Sequence, residues 1–295
     1  MSGEMATMAT TLTHRAFSTP GSASGGNVLE QLLAKARPLV MGVLNVTPDS
    51  FSDGGRYLDP QAAIAHARRL AADGADILDV GAESTRPYGG AVRISIEEER
   101  ARLAPVLSDV IALGVPVSID TLKAAIAAWA LDLGAAIVND VWGLQGDADM
   151  AGVVAEHQAP IVIMHNRETA DPAIDIVADV TDFFRRSLDI AARAGIPRER
   201  IVLDPGIGFG KTVEQSLICI ARLDAWRDCG APLLVGASRK HFIHSVSPSD
   251  PMDRLGGSLA AHLLAVENGA VIVRVHDVAA TTQALAVASA IRGAR

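Results

Sequence analysis

The stretch IVLDPGIGFGKT, Ile201 to Thr212, sets a short β-branched apolar run directly against an aspartate and a glycine-rich loop. Its last three residues, Gly210, Lys211 and Thr212, end as a phosphate-binding P-loop ends, in a pattern of Gly, four residues, then Gly-Lys-Ser/Thr. Counting back from Gly210 puts the first glycine of that pattern at position 205, which is Pro205. Proline has no backbone N–H to offer a phosphate, so the departure removes chemistry as well as form. The stretch reads instead as a strand ending at Asp204, with Gly206, Gly208 and Gly210 letting the backbone turn tightly and projecting Phe209 and Lys211 at the strand's end.

The same unit recurs along the chain. LVMGVLNV, ADILDVGA, PVSIDT, AAIVNDV, PIVIMH, IVLDPG, PLLVGAS and VIVRVH are each followed by a longer stretch of helical period, from about Pro38 to the C-terminus. Near-continuous apolar strands alternating with amphipathic helices imply a parallel sheet covered on its outer face. Eight such units in a chain of 295 residues predict a single-domain α/β fold, a (β/α)8 TIM barrel, with a doubly wound open sheet as the alternative. Residues 1–37 are rich in Ser, Thr, Gly and Ala and end in a short possible helix, NVLEQLLAKA. They are expected to form a flexible N-terminal extension ahead of the barrel domain, residues 38–295.

A hydrophobic content of 49% suffices for a sizeable core, and a net charge of -8 disfavours a nucleic-acid or anionic-membrane surface as the main function. No apolar run approaches the ~20 residues of a membrane span, and the N-terminus lacks a basic segment followed by an apolar one. A cytoplasmic protein is expected. Cys219 and Cys229, ten apart on a predicted helix, would be separated by roughly 15 Å at about 1.5 Å per residue, and read as free thiols.

The strand ends carry the functional signal: Asn45, Asp79 with Glu83, Asp120, Asn139 with Asp140, His165, Asp204, Ser238, and Arg274 with His276. One aspartate after a strand is ordinarily a turn former or helix cap. In a barrel, however, side chains from all the C-terminal strand ends converge at one mouth, where active sites of this fold are built. His66, His157 and His262 fall within predicted helices and read as surface or packing residues.

MGVLNVTPDSFSDGG (Met41–Gly55), ESTRP (Glu83–Pro87), SIDT (Ser118–Thr121), VNDV (Val138–Val141), LDPGIGFGK (Leu203–Lys211), SRK (Ser238–Lys240) and VRVHDV (Val273–Val278) occur in that order. Together they resemble the dihydropteroate synthase family from about Pro38 to the C-terminus. The resemblance implies an enzyme that joins p-aminobenzoate to 6-hydroxymethyl-7,8-dihydropterin diphosphate, giving 7,8-dihydropteroate and diphosphate in folate biosynthesis. Asp204 would accept the adjacent N–H and NH2 of the pterin edge in bidentate fashion. Asp120, Asn139, Met164 and Phe209 would complete the pterin pocket, and Lys240 would donate to the ring's acceptors. For Asp120 a purely structural hydrogen-bond network is the alternative. Arg274 and His276 alternate on the last strand, so a period of two turns both to one face, where they would grip the diphosphate together with Arg86. Loss of Arg274 is therefore expected to spare binding of free pterin.

By the same resemblance Asn45 would be the protein ligand of Mg2+, and Thr85, Pro87, Phe51, Phe209, Lys240 and His241 would take the p-aminobenzoate. The catalytic set is then Asp120, Asp204, Lys240, Arg274 and His276. Departure of diphosphate would leave a methylene cation delocalised into the dihydropterin, and an aryl amine, unprotonated at neutral pH, would attack without a dedicated base. A second copy of the chain is the expected partner, docking through the apolar faces of SLAAHLLAVENGA and AATTQALAVASAIR. Three positions depart from the family pattern: His241 stands where Ser or Arg is common, Tyr88 alters the loop after ESTRP, and MHNRETADP (Met164–Pro172) replaces a Gly-x-Pro and Met-Gln pattern. A pterin-binding methyltransferase and a non-catalytic pterin-binding paralogue are the competing readings. Release of diphosphate on mixing both substrates separates the three.

Overall fold

The computed structural model describes residues 27–47, 59–83 and 93–294. Among them eight parallel strands, β1 (Leu39–Asn45), β2 (Ile77–Gly81), β3 (Val117–Asp120), β4 (Ile137–Asp140), β5 (Ile161–Met164), β6 (Ile201–Asp204), β7 (Leu233–Val235) and β8 (Ala270–Val275), close a barrel in sequence order. Each coincides with one of the eight apolar runs. β8 returns to β1 with Met41 opposite Arg274, which excludes the open sheet.

Strand parity sorts the residues into two cores. Val40, Leu44, Leu78, Val80, Ile119, Val138, Ile163, Leu203 and Val273 pack outward against helical residues such as Ile64, Leu70, Ile126, Phe184 and Trp226. The opposite parity supplies the floor of the barrel: Leu39, Met41, Ile77, Ile137, Val162, Val202, Leu234 and Ile272. Both faces of every strand but β3, whose inward position is Ser118, are therefore apolar near its start, as the continuous runs require.

The floor is closed by the N-terminal segment. Asn27 caps the helix Val28–Leu33 by accepting the Glu30 N–H, and Leu29 and Leu32 are buried in the same cluster as the floor residues. Behind the helix, Lys35 and Arg37 both pair with Asp76, whose carboxylate also accepts the Val40 N–H. The boundary drawn at Pro38 thus divides residues that pack together, because a short amphipathic helix finds its apolar partner in the open end of the barrel. Leu29→Ala should cost about 2 to 5 kcal/mol in a urea unfolding curve, the range for emptying a buried leucine site. A shift below about 1 kcal/mol would mean that the helix is not part of the core.

The two cysteines lie on different elements. Cys219 is buried in the helix Val213–Ala221, and Cys229 ends the 3-10 segment Leu223–Cys229, so the single predicted helix is broken between them; both are free. His262 is a packing residue, its Nε2 accepting the Ala237 N–H in the interior. No helix among the described residues is long and apolar enough to cross a membrane.

Candidate active site

Directly above the apolar floor the inward-facing positions turn polar: two residues on from Ile77, Ile137, Val202 and Ile272 stand Asp79, Asn139, Asp204 and Arg274. The Arg274 guanidinium reaches across the barrel, donating through Nε to Asp79 Oδ2 at 2.5 Å and through NH2 to Asp120 Oδ2 at 2.6 Å. Asn139 Nδ2 donates to the same Asp79 oxygen at 3.1 Å. Asp79, wholly buried, is one of the polar strand ends to which the family resemblance gave no role, and its parity with Ile77 turns it inward.

The second oxygens of Asp79 and Asp120 and the Ser118 hydroxyl are buried with no hydrogen-bond partner among the described residues. Unfilled acceptors in an interior call for water or a donor-bearing ligand. Burial is the chief cause of an Asp120 pKa raised to about 7, with Arg274 pulling it down and Asp79 pushing it up. Arg274 is held charged, since its two carboxylates outweigh the cost of burial.

Asp204 and Lys240 form the other wall. Asp204 Oδ1 accepts the Gly206 N–H at 2.7 Å, and burial raises its pKa against the pull of Lys240. Burial likewise brings Lys240 down to about 7, against the pull of Asp204. Lys240 donates to the Ile207 carbonyl, and its ammonium lies 4.6 Å from the centre of the Phe209 ring. Phe209 packs with Met164 and Val141 into a small apolar cluster, which provides the flat side of the cleft.

Two glycines of the loop are required by a neighbouring backbone. A Cβ on Gly206 would lie 2.0 Å from the His165 carbonyl oxygen, and one on Gly210 would lie 2.3 Å from that of Arg167, both at positive φ. Lys211 differs from expectation. It is fully buried under the loop, donating to the carbonyls of Gly206 and Phe209 and to His165 Nδ1, while Thr212 forms a capping box with Gln215 at the start of the next helix. The Gly-Lys-Thr ending is thus a turn, a staple and a cap.

At the rim, His276 Nδ1 lies 2.9 Å from the Ser238 hydroxyl, and Arg239 pairs with Asp277 through both of its carboxylate oxygens. These contacts tie the loop after β7 to that after β8 and set Lys240 between them. Asn45 ends β1, half-buried, and His241 is exposed at the start of the helix His241–Val246. Phe51, Thr85, Arg86, Pro87 and the variant Tyr88 lie outside the described residues. Asp140 and Glu83 serve the scaffold: Asp140 accepts the N–H groups of Trp142 and Leu144, and Glu83 pairs with Lys123, which also holds Glu99.

The structure therefore brings Asp120, Asn139, Met164, Asp204, Phe209, Lys240 and Arg274 to one cleft at the barrel mouth, with an apolar wall, unfilled acceptors and two cations. Such a cleft suits a flat heterocycle bearing donors on one edge and acceptors on the other. A family model described as pterin binding enzyme matches residues 41–276. Dihydropteroate synthase of Bacillus subtilis is 46% identical over 245 residues, which span 83% of this chain and 85% of that protein. The structure of Clostridium difficile dihydropteroate synthase, determined in the presence of pteroic acid, is similar with a TM-score of 0.83 at 45% identity, covering 86% of this chain and 97% of the other. That of Xanthomonas albilineans dihydropteroate synthase with 4-aminobenzoic acid is similar with a TM-score of 0.83 at 44% identity, covering 87% and 93%.

Proposed function

The chain belongs to the dihydropteroate synthases, a family of pterin-binding enzymes, and from that premise we propose how its own residues carry the condensation of 6-hydroxymethyl-7,8-dihydropterin diphosphate with p-aminobenzoate. The observation that bears the reading is the pairing of Asp204 with Lys240, whose charges act on one another beside the Phe209 and Met164 cluster. Asp204 accepts the N–H and NH2 of the pyrimidine edge, and Lys240 donates to the ring's oxygen and nitrogen. Asn139 and Asp120, with an acceptor oxygen unfilled on Asp120, take the remaining polar edge. Both walls carry groups whose charge burial opposes, so a ligand offering complementary partners restores the charge of each.

Arg274 stands on β8 and His276 directly after its end, and with Arg86 they hold the diphosphate as it leaves. Asn45 would be the chain's ligand to Mg2+. Among the described residues no three His, Cys, Asp or Glu side chains converge as a metal cluster, and a single neutral oxygen suits a cation carried mainly by substrate oxygens and water. When bound, Mg2+ neutralises charge developing on the diphosphate. The chain itself positions the two substrates and excludes water between them, and p-aminobenzoate, received by Phe51, Thr85, Pro87, Phe209, Lys240 and His241, supplies an unprotonated amine that needs no base.

Two chains associate in this reading, a proposal supported by exposed Leu264, Val287 and Ile291 on the helices Leu255–Glu267 and Val278–Gly293. The net charge of -8 supports small molecules over nucleic acid as partners, and the two free thiols suit the cytoplasm. Diphosphate released only when both substrates are present is the expected result of a coupled phosphate assay, and its absence would sink the catalytic reading. A sulfonamide, whose sulfonyl-aniline copies the ring and acid of p-aminobenzoate, should raise the apparent KM for p-aminobenzoate and leave kcat unchanged. Purely non-competitive inhibition would move that site elsewhere.

A further inference from the structure

We propose that Lys211 is a positioning residue for the pterin-facing loop, holding residues 206–209 where Asp204, Phe209 and Lys240 meet the substrate; the inference rests on the pterin reading above. Lys211 Nζ donates to the Gly206 carbonyl at 2.9 Å, to the Phe209 carbonyl at 3.1 Å and to His165 Nδ1 at 2.7 Å, with the side chain wholly buried. The same short loop carries the pocket on its other side. Its Gly206 N–H is bonded to Asp204, its Ile207 carbonyl to Lys240, and its Phe209 ring packs beneath the Lys240 ammonium. Lys211 therefore acts through the loop.

His165 completes the device. Because Nδ1 accepts from Lys211, the ring proton sits on Nε2, which donates to Asp179 Oδ2 at 2.9 Å, while Asp179 Oδ1 takes Arg167 at 2.8 Å. Burial, reinforced by Lys211, brings the His165 pKa down to about 3, so the imidazole is a fixed neutral acceptor. His165 and Arg167 lie in the segment directly after β5, which touches the loop backbone at Gly206 and Gly210, and Asp179 reaches them from the helix Ile176–Arg193.

Three acceptors surround one nitrogen. An ammonium has three N–H bonds to give and a neutral amine has two, so only the charged form satisfies them all. The charge faces Asp204 on β6, Cys219 on the helix Val213–Ala221, Asp179 on the helix Ile176–Arg193, His165 and Arg167 on the loop after β5, and Lys240 on the loop after β7. Burial leads among these in lowering the Lys211 pKa to about 8. As pH rises through that value one acceptor loses its donor and the loop loses a restraint, so pterin affinity declines on the alkaline side.

Calorimetric titration of the full chain with 6-hydroxymethyl-7,8-dihydropterin, and separately with inorganic diphosphate, tests this. Lys211→Met is expected to weaken pterin binding by about 10- to 100-fold, the loss for charge-assisted hydrogen bonds, and to leave inorganic diphosphate within about 2-fold. Asp179→Asn alters a partly exposed side chain and removes a charge that supports the ammonium. The alkaline decline in pterin affinity should then begin at lower pH; earlier loss of the Lys211 charge, which lowers the Lys240 pKa, would move the ionisation of Lys240 the other way. A folded Lys211→Met chain that binds pterin normally, or that loses both ligands alike, overturns the inference. If that variant does not fold, an alkaline limb unmoved by Asp179→Asn overturns it instead. Failure of the unaltered chain to bind pterin would strike the pterin reading itself.

Discussion

Replacing Asp204 by asparagine is expected to lower pterin affinity by about 30-fold to several thousand-fold while the chain still folds. The magnitude is that of breaking a buried charge-assisted pair, about 2 to 5 kcal/mol. The structure fixes which way the new amide turns. Asp204 Oδ1 accepts the Gly206 N–H at 2.7 Å, and that N–H can only donate, so the asparagine oxygen keeps this bond and its NH2 takes the place of the other carboxylate oxygen. A donor then faces the donors of the pterin edge. Since burial already raises the Asp204 pKa, the neutral amide removes a desolvation cost from the free protein, and the melting temperature should hold or rise. Unchanged affinity in calorimetry with a collapsed melting temperature would make Asp204 a structural residue and refute the assignment of the pocket.

The barrel was legible because its signal is local and repeated. Nearly every strand is an apolar run whose two faces meet two different cores, with a polar residue at or near its end, so VIVRVH or AAIVNDV announces itself without knowledge of its neighbours. The helix Val28–Leu33 was legible as a helix but not as a plug. Its partners, Met41 and Ile272 among them, are strand-start residues brought together only when β8 pairs with β1. The fate of Lys211 was hidden for a similar reason. Beside Gly210 and Thr212 the chain shows a loop lysine of the kind usually left in water. What buries it is the backbone of residues 165–167, delivered by a different strand.

Site membership divides along the same line. Asp120, Asn139, Asp204 and Arg274 could be placed in one mouth because strand ends converge in any such barrel. The pairing among them depends on which strands stand two or three apart around the closed sheet. Asp79 belongs to that second class: parity in ILDVG turns it inward at a strand end but does not say that Asn139 and Arg274 both converge on it.

That convergence changes what removal of Arg274 should do. From the alternation of Arg274 and His276 alone, Arg274→Ala would cost diphosphate binding and spare the pterin. In the folded chain the guanidinium instead sits between Asp79 and Asp120, two buried carboxylates, one of which is assigned to the pterin. Taking it away leaves both without a counter-charge, a change that typically costs about 3 to 5 kcal/mol of stability. The sign with pH follows from Asp120. Its folded pKa of about 7 lies above its ordinary value of 3.8, so the native state holds its proton more tightly than the unfolded chain, and stability falls as pH rises between the two values. Without Arg274, which pulls that pKa down, the fall is larger and extends further, so the variant's deficit should be small near pH 4 and greatest above pH 7. Urea unfolding of Arg274→Ala across that range, with pterin and diphosphate titrations at neutral pH, checks both halves. The expected result is loss of about 30-fold or more for each ligand and a stability gap that widens with pH. A constant gap, or a variant that loses diphosphate alone, would show that the guanidinium serves the leaving group only and does not hold the carboxylates beneath it.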